Sequence, residues 1–524
     1  MASFIRENMV WPPMNMLRWK MQEHSSWYSG DPNVLANFYE RMASTYSLSV
    51  EAPYHVHKES FWGRQLKNVV DIGVHVPIAG DIASTSADLI FSEPAQLKIA
   101  EAHIKNAPDS MVKTQEQLDY MMDDINFHQK LLEAGETSSA MSGVFIKLAW
   151  DEELSPYPIP VIEQVDTAYP IFRFGMLIEV SFVKQIDVDV LNESDHEKPA
   201  SRDVFRLVET YYKDGSIGYR LFKGTPERIG VEVDLNYLDQ TSDIENITTG
   251  IKDILAVYVP NILPNKMDRG SYMGRSDFLG IEGLMDSLDE TYSSWLKDII
   301  LGQGRVMIPE SFLKNKEGGG SKFNVDQLLY VDLDMDPLVE GNKITLQQFE
   351  IRAEQFEKTC LNLLDRIISS AGYSPQSFGL NIHGRAESGT ALTIRERKSL
   401  STKNKKQTYW EPALKKIVRL MLLVYKTQLR GKVEADFEVT TQFSDSITND
   451  INQISEAVKA VSDASAVSTE TKVRWLHPDW SEDEVQAETK RILDETGQSP
   501  LMEPDQVGIG ADVEEEEEEE ETED

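Results

Sequence analysis

"YMGRSDFLGIEGLMDSLDETYSSWLKDI", Tyr272–Ile299, places apolar side chains at Phe278, Ile281, Met285, Leu288, Tyr292, Trp295 and Ile299. Alternating steps of three and four residues describe a helix with a narrow apolar seam, not a broad core face. The spacing predicts one long helix over Asp277–Leu301, ended by Gly302. The behaviour recurs downstream, where Phe349, Ala353, Phe356, Cys360, Leu363 and Ile367 predict a second seamed helix over Thr345–Ser370, with Gly372 after it. Between the two lies a non-helical excursion, Gln303–Lys343, containing "RVMI", the glycine-rich "KEGGGSK" and "QLLYVDLDMD". A third long helix is predicted from Gly389 to Leu429, with Trp410, Leu414, Ile417, Met421 and Val424 on one stripe. Pro412 lies inside it and predicts a kink. On pattern alone, three such helices are equally those of an ordinary helical bundle.

Upstream, the first 140 residues read as mostly helical, with breaks at Pro12-Pro13, Gly30-Asp31-Pro32 and Pro77. In "TQEQLDYMMDDINFHQKLLEAGE" the spacing of Leu118, Met121, Ile125, Phe127, Leu131 and Leu132 predicts one helix stopped by Gly135. From about residue 143 to 259 the pattern turns to short β-like runs, and Lys213-Asp214-Gly215-Ser216 between aromatic flanks predicts a hairpin. After residue 445 come short helices, one opening on Ser481 as N-cap with Glu484 three residues on. The fold class is therefore α+β.

The formal net charge is −36, yet the segment 383–432 holds thirteen Lys and Arg against three Glu. Eight consecutive glutamates, Glu514–Glu521, form a self-repelling tail expected to stay disordered. Without the last thirteen residues the chain still carries −25. So acidic a body argues against a general nucleic-acid binder. One cysteine, Cys360, excludes an intramolecular disulfide and fits a reducing compartment. No apolar run approaches a membrane span, and the N-terminus has no continuous apolar stretch of the kind a signal peptide needs. A soluble protein, with no membrane partner, is expected.

The element order, with the local text of Tyr272–Ile299, "SPQSFGLNIHGRAESGTALTIRERKSL", "SADLIFSEP" (Ser86–Pro94) and "ESGTALTIRERK" (Glu387–Lys398), resembles the portal proteins of tailed bacteriophages, in particular long-tailed phages of Gram-positive hosts. The resemblance covers most of the chain. It implies a homo-oligomeric ring, twelve subunits in the virion, at one capsid vertex, with localisation in the host cytoplasm during assembly. It also implies a portal fold: a wing over residues 1–270, a first stem helix over 271–302 and a clip over 303–344. A second stem helix over 345–372, a tunnel loop over 373–388, a long wing helix and return over 389–444, and a crown over 445–497 complete it, with the acidic tail at 498–524. Double-stranded DNA in the channel, the terminase, head–tail adaptor proteins, and capsid and scaffold proteins are the implied partners. Phe378, Leu380, Asn381, Ile382, His383 and Arg385 would be the loop residues facing DNA. Phe278, Ile281, Met285, Leu288, Tyr292, Trp295, Phe349, Phe356, Leu363 and Ile367 would form the stem seam.

An acidic channel would repel phosphate and leave the duplex free to slide, with screening confining the effect to about 8 Å in physiological salt. The basic helix is then read as mainly structural. Arg395, Arg397, Lys398, Lys403, Lys405 and Lys406, with Lys415 and Lys416, would pair mainly with acidic faces of adjacent subunits, some DNA contact staying open near the start of the helix.

Catalysis is not expected. "VDLDMD" (Val331–Asp336) and "IDVDVLNESD" (Ile186–Asp195) alternate aspartates that could hold a hard cation, but alternation is also the wet face of a strand. His55 and His57 lack a third ligand, and "KEGGGSK" lacks the order of a phosphate loop. No cofactor and no metal site is expected. Two rival readings are a non-viral oligomeric scaffold and a metal-dependent nuclease using the Asp-x-Asp stretches.

Overall fold

The computed structural model describes residues 4–46, 60–63, 73–103, 108–186, 203–302, 305–309, 330–333, 345–347, 351–380, 389–434, 437–443, 458–459, 461–462, 467–477 and 482–495. They combine helices and sheets as an α+β protein, in two compact units, Met1–Ser444 and Asp445–Asp524.

The first seamed helix, Glu282–Leu301, starts later than its apolar spacing suggests. Phe278 and Ile281 are buried in the turn before it, where Gly280 takes a φ of +91° that a side chain would resist. The Glu282 carboxylate accepts the Gly280 N–H at 2.8 Å, which fastens that turn to the helix start. The second helix is Ala353–Ala371, ended by Gly372 in the left-handed region. Its expected first turns are not helical. Thr345–Gln347 is instead a strand antiparallel to Arg305–Met307, and Arg305–Pro309 pairs in parallel with Tyr330–Leu333 on its other side. The ladder bonds of that small sheet outweigh a helical period that Phe349 and Ala353 only appeared to extend; Phe349 itself lies outside the described residues.

The N-terminal region is helical, as Met16–Tyr28, Pro32–Tyr46, Ile78–Phe91, Asp109–Asp124 and Phe127–Met141. The single helix expected over residues 114–136 is two, because Asn126 at φ +51° turns the chain between them. Gly135 stops nothing. It lies inside the second of these helices, where the Phe91 ring packs so closely that a Cβ would meet its Cδ2 at 3.0 Å.

The β-rich region falls where the alternating runs place it. A three-stranded sheet sets Gly143–Ala149 between Ala256–Pro260 and Ile159–Gln164. A larger antiparallel sheet runs Ala168–Arg173, Met176–Ile186, Val204–Tyr212, Ser216–Thr225, Arg228–Val233, with Ile247–Thr248 beside the fourth of these strands. The expected hairpin joins Val204–Tyr212 to Ser216–Thr225: Gly215 takes φ +80° and Asp214 accepts the Ser216 N–H.

Gly389–Thr427 is one helix running through Pro412, and its predicted stripe of Trp410, Leu414, Ile417, Met421 and Val424 is fully buried. After it the chain returns as Val439–Gln442 and pairs antiparallel with Gln96–Ile99, closing the first unit. The second unit holds Thr469–Leu476, capped by Ser468 through the Thr471 N–H, and Glu482–Glu495. Ser481 lies outside the described residues. Among the described residues no helix is long and apolar enough to cross a membrane.

Candidate functional site

The two seamed helices lie antiparallel. Arg352, at the start of the second, reaches Asp298, near the end of the first, with Nη2 at 2.9 Å from Oδ2. Trp295 and Phe356 stack with planes 8° apart and centroids 6.2 Å apart. Met285, Leu288, Cys360 and Ile367 are buried, whereas Tyr292, Trp295, Phe356 and Leu363 are half-buried and Ile299 is exposed. The predicted seam is thus closed at one end of the helix pair and partly open toward the small sheet.

The first helix carries a polar stripe that its apolar pattern conceals. Glu282, Asp286, Asp289 and Ser293 recur at four, three and four residues and bind the N-terminal helical region. Glu282 Oε1 lies 3.0 Å from both His24 Nε2 and Lys20 Nζ. Asp286 accepts the backbone N–H groups of Phe61 and Trp62. Asp289, fully buried, accepts the Trp62 indole N–H and the Val76 N–H, and sits 2.8 Å from His75 Nδ1. Ser293 Oγ accepts the Val74 N–H. Burial alone would raise the Glu282 carboxyl, but the hydrogen bond and charge of His24 and the charge of Lys20 outweigh it and hold it at about 2.

A second buried polar centre forms where helix, loop and long helix converge. Asp277 Oδ2 accepts from Lys406 Nζ at 2.5 Å, Ser139 Oγ at 2.6 Å and the Tyr373 hydroxyl at 2.7 Å, while Oδ1 accepts from Asn261 Nδ2 at 2.9 Å. Lys406 also donates to Ser86 Oγ at 2.6 Å. Both Asp277 and Lys406 side chains are essentially sealed from solvent. Burial pulls the Lys406 ammonium below its usual range against the opposing pull of Asp277, and burial pushes the Tyr373 phenol well above its own. One carboxylate thereby joins four separate parts of the first unit.

The same centre clamps the base of the candidate loop. Ser399 Oγ accepts the Ser374 N–H and lies 2.8 Å from Ser377 Oγ; Thr402 donates to the Gly372 carbonyl at 2.6 Å, and Lys398 to that of Ser369. With Lys406, positions 398, 399, 402 and 406 of the long helix hold the segment Ser369–Ser377. The segment that leads into the loop is therefore braced, and Asn381, Ile382, His383 and Arg385 lie outside the described residues. Phe378 and Leu380 are half-buried and pack on the main core, around a cavity of about 380 Å³ shared with Val76, Ile78, Leu364 and Ile368.

The basic helix divides in two. Arg397, Lys398 and Lys405 are exposed and Arg395 is half-buried, but Lys403 and Lys406 are buried. The expectation that all six would serve neighbouring subunits is corrected for Lys406, whose ammonium is consumed within its own chain by Asp277, and for Lys403, sealed inside the fold. Lys415 and Lys416 likewise have internal partners, Glu411 at 2.8 Å and Asp253 at 3.5 Å. Sequence reasoning missed Asp277, Tyr373, Ser86, Ser139 and Asn261. Nothing local marks them, since the carboxylate and its lysine are 129 residues apart. Among the described residues no group of three or more His, Cys, Asp and Glu could hold a metal ion. His55, His57, "KEGGGSK" and most of the Asp-x-Asp stretches lie outside them.

A search of curated proteins found no match. A family model described as phage portal protein, SPP1 Gp6-like, matches residues 10–499. That match takes in the seamed helix pair, the small sheet between them, the braced loop and the long helix together. The chain therefore belongs to the SPP1 Gp6-like family of phage portal proteins.

Proposed function

We propose that copies of this chain close into a ring, twelve in the virion, whose channel passes double-stranded DNA during packaging and again at ejection. Family membership gives the coarser statement: a portal protein of the phage virion, with a role in DNA packaging. The finer reading assigns the antiparallel helix pair to the stem and the sheet of Arg305–Pro309, Tyr330–Leu333 and Thr345–Gln347 to the clip. The clip would meet the terminase during packaging and the head–tail adaptors afterwards. The wing would meet capsid and scaffold proteins.

The observation that carries this reading is the braced base of the loop. A tunnel loop must bear the load of moving DNA, and residues 369–377 are fixed to the long helix and, through Asp277, to the stem entrance. Asn381, Ile382, His383 and Arg385 are assigned to the tip that follows the duplex. Phe378 and Leu380 are assigned to its root. Glu282, Asp286 and Asp289 are occupied within the subunit and Glu354 pairs with Lys358, so the acidic lining falls to others, with the exposed Glu357 of the second stem helix as a candidate. Repulsion of phosphate there would centre the duplex without gripping it.

Electron microscopy of the purified protein tests the reading. Rings with a central hole wide enough for duplex DNA are expected. A monomer that cleaves DNA in the presence of a divalent metal would establish the nuclease instead.

A further inference from the structure

The strands Ala168–Arg173 and Met176–Ile186 are joined by only two residues, Phe174 and Gly175. Both have positive φ, +50° and +80°, as the tight primed turn of a two-residue hairpin requires. Gly175 suits that turn. Phe174 does not: asparagine, aspartate or glycine takes the first position at little cost, and a bulky aromatic residue there is strained. The strain is not repaid by packing inside the subunit, because Phe174 is 89% exposed, the highest value among the exposed large apolar side chains of the described residues. Met176, beside it, is 68% exposed. Tyr272 props the turn from behind, lying 3.5 Å from where a Cβ on Gly175 would stand and 5.6 Å from the Phe172 ring, and is itself 47% exposed. Three large apolar side chains therefore form one projecting knob on a rigid sheet. A residue that breaks the local turn rule with no gain in its own fold points to a contact outside it.

A closed ring is built from heterologous contacts, so each copy must present two unlike, complementary surfaces to its neighbours. The first unit carries a concave counterpart. A cavity of about 400 Å³ has an apolar floor of Leu97, Met122, Phe127 and Leu131, with the exposed Asp119, which also accepts from Gln115, and the exposed Asp123 and Lys98 among its lining, a net negative charge. The knob brings an exposed cation, Arg173, next to Phe174, opposite in sign to that net charge. We propose that the Phe174 knob is a subunit-joining element, which inserts into the Met122 cavity of a second copy of this chain. The inference rests on the ring reading and adds to it a specific lock between neighbours.

The test exploits the strain. Phe174→Asn removes the knob while easing the turn, so the subunit should fold with a melting temperature no lower than the parent's. Loss of a buried aromatic anchor should raise the concentration needed for ring formation about 30-fold, measured by mass photometry and electron microscopy. Met122→Arg, which plugs the cavity from the other side, should do the same, and the two together should cost little more than either alone. Wild-type protein that forms no rings would defeat the portal reading itself. Rings that form normally in Phe174→Asn while procapsid incorporation fails would assign the knob to capsid or scaffold and overturn the second-copy partner. A Phe174 effect without a Met122 effect would overturn the cavity.

Discussion

At the scale of single residues, the Asp277–Lys406 pair decides most. Removing one partner of a sealed ion pair leaves the other charge buried and uncompensated, which typically costs about 3–5 kcal/mol, whereas replacing both is far milder. Lys406→Met should therefore lower the stability of the subunit by that amount in chemical denaturation, and Lys406→Met with Asp277→Asn should recover a large part of it. Equal losses for the single and double variants would mean that the carboxylate is stabilised by Tyr373, Ser139 and Asn261 alone. A smaller effect is expected at Gly135. A methyl group there must displace the Phe91 ring, so Gly135→Ala should destabilise by about 1–3 kcal/mol despite alanine's better helix propensity.

At the scale of elements, sequence periodicity succeeded where one face of one element was enough. The stripe of the long helix, the Lys213–Ser216 hairpin and the closing glycines of both seamed helices were legible because each is a local pattern. It failed where distant partners decide. Thr345–Gln347 became a strand because Arg305–Met307 was there to pair with it, and Gly135 is a packing position inside a helix, not a stop, since Phe91 fills the space a side chain would need. The acidic stripe of the first seamed helix carries no apolar signal, yet it is the face that holds His24, Trp62 and His75. That stripe predicts an acid sensitivity. The Glu282 carboxyl, held at about 2 in the fold, would titrate near 4.3 in the unfolded chain, so its charge stabilises fully above about pH 5 and is lost as pH falls toward 2. The shift corresponds to about 3 kcal/mol. Glu282→Gln should consequently be less stable than the parent at neutral pH and match it near pH 2, which melting curves across that window will register.

At the scale of the whole molecule, charge must be reconciled with assembly. A subunit of net charge −36 repels its copies, and a ring has to overcome this at every joint. With Lys403 and Lys406 committed internally and Lys398 bonded to the Ser369 carbonyl, Arg397 and Lys405 are the exposed members of the predicted set placed to reach across. If they pair with a neighbour's acids, the Arg397→Ala, Lys405→Ala protein should need a higher concentration to form rings at low ionic strength, by about 3- to 30-fold for two exposed pairs of up to 1 kcal/mol each. Salt discriminates an electrostatic role from one in packing. At about 1 M the screening length shrinks to about 3 Å, general repulsion and exposed pairing both fade, and the variant should assemble like the parent. A deficit that persists undiminished in high salt would place these two side chains in packing instead, and a variant indistinguishable from the parent at low salt would remove both from the joint.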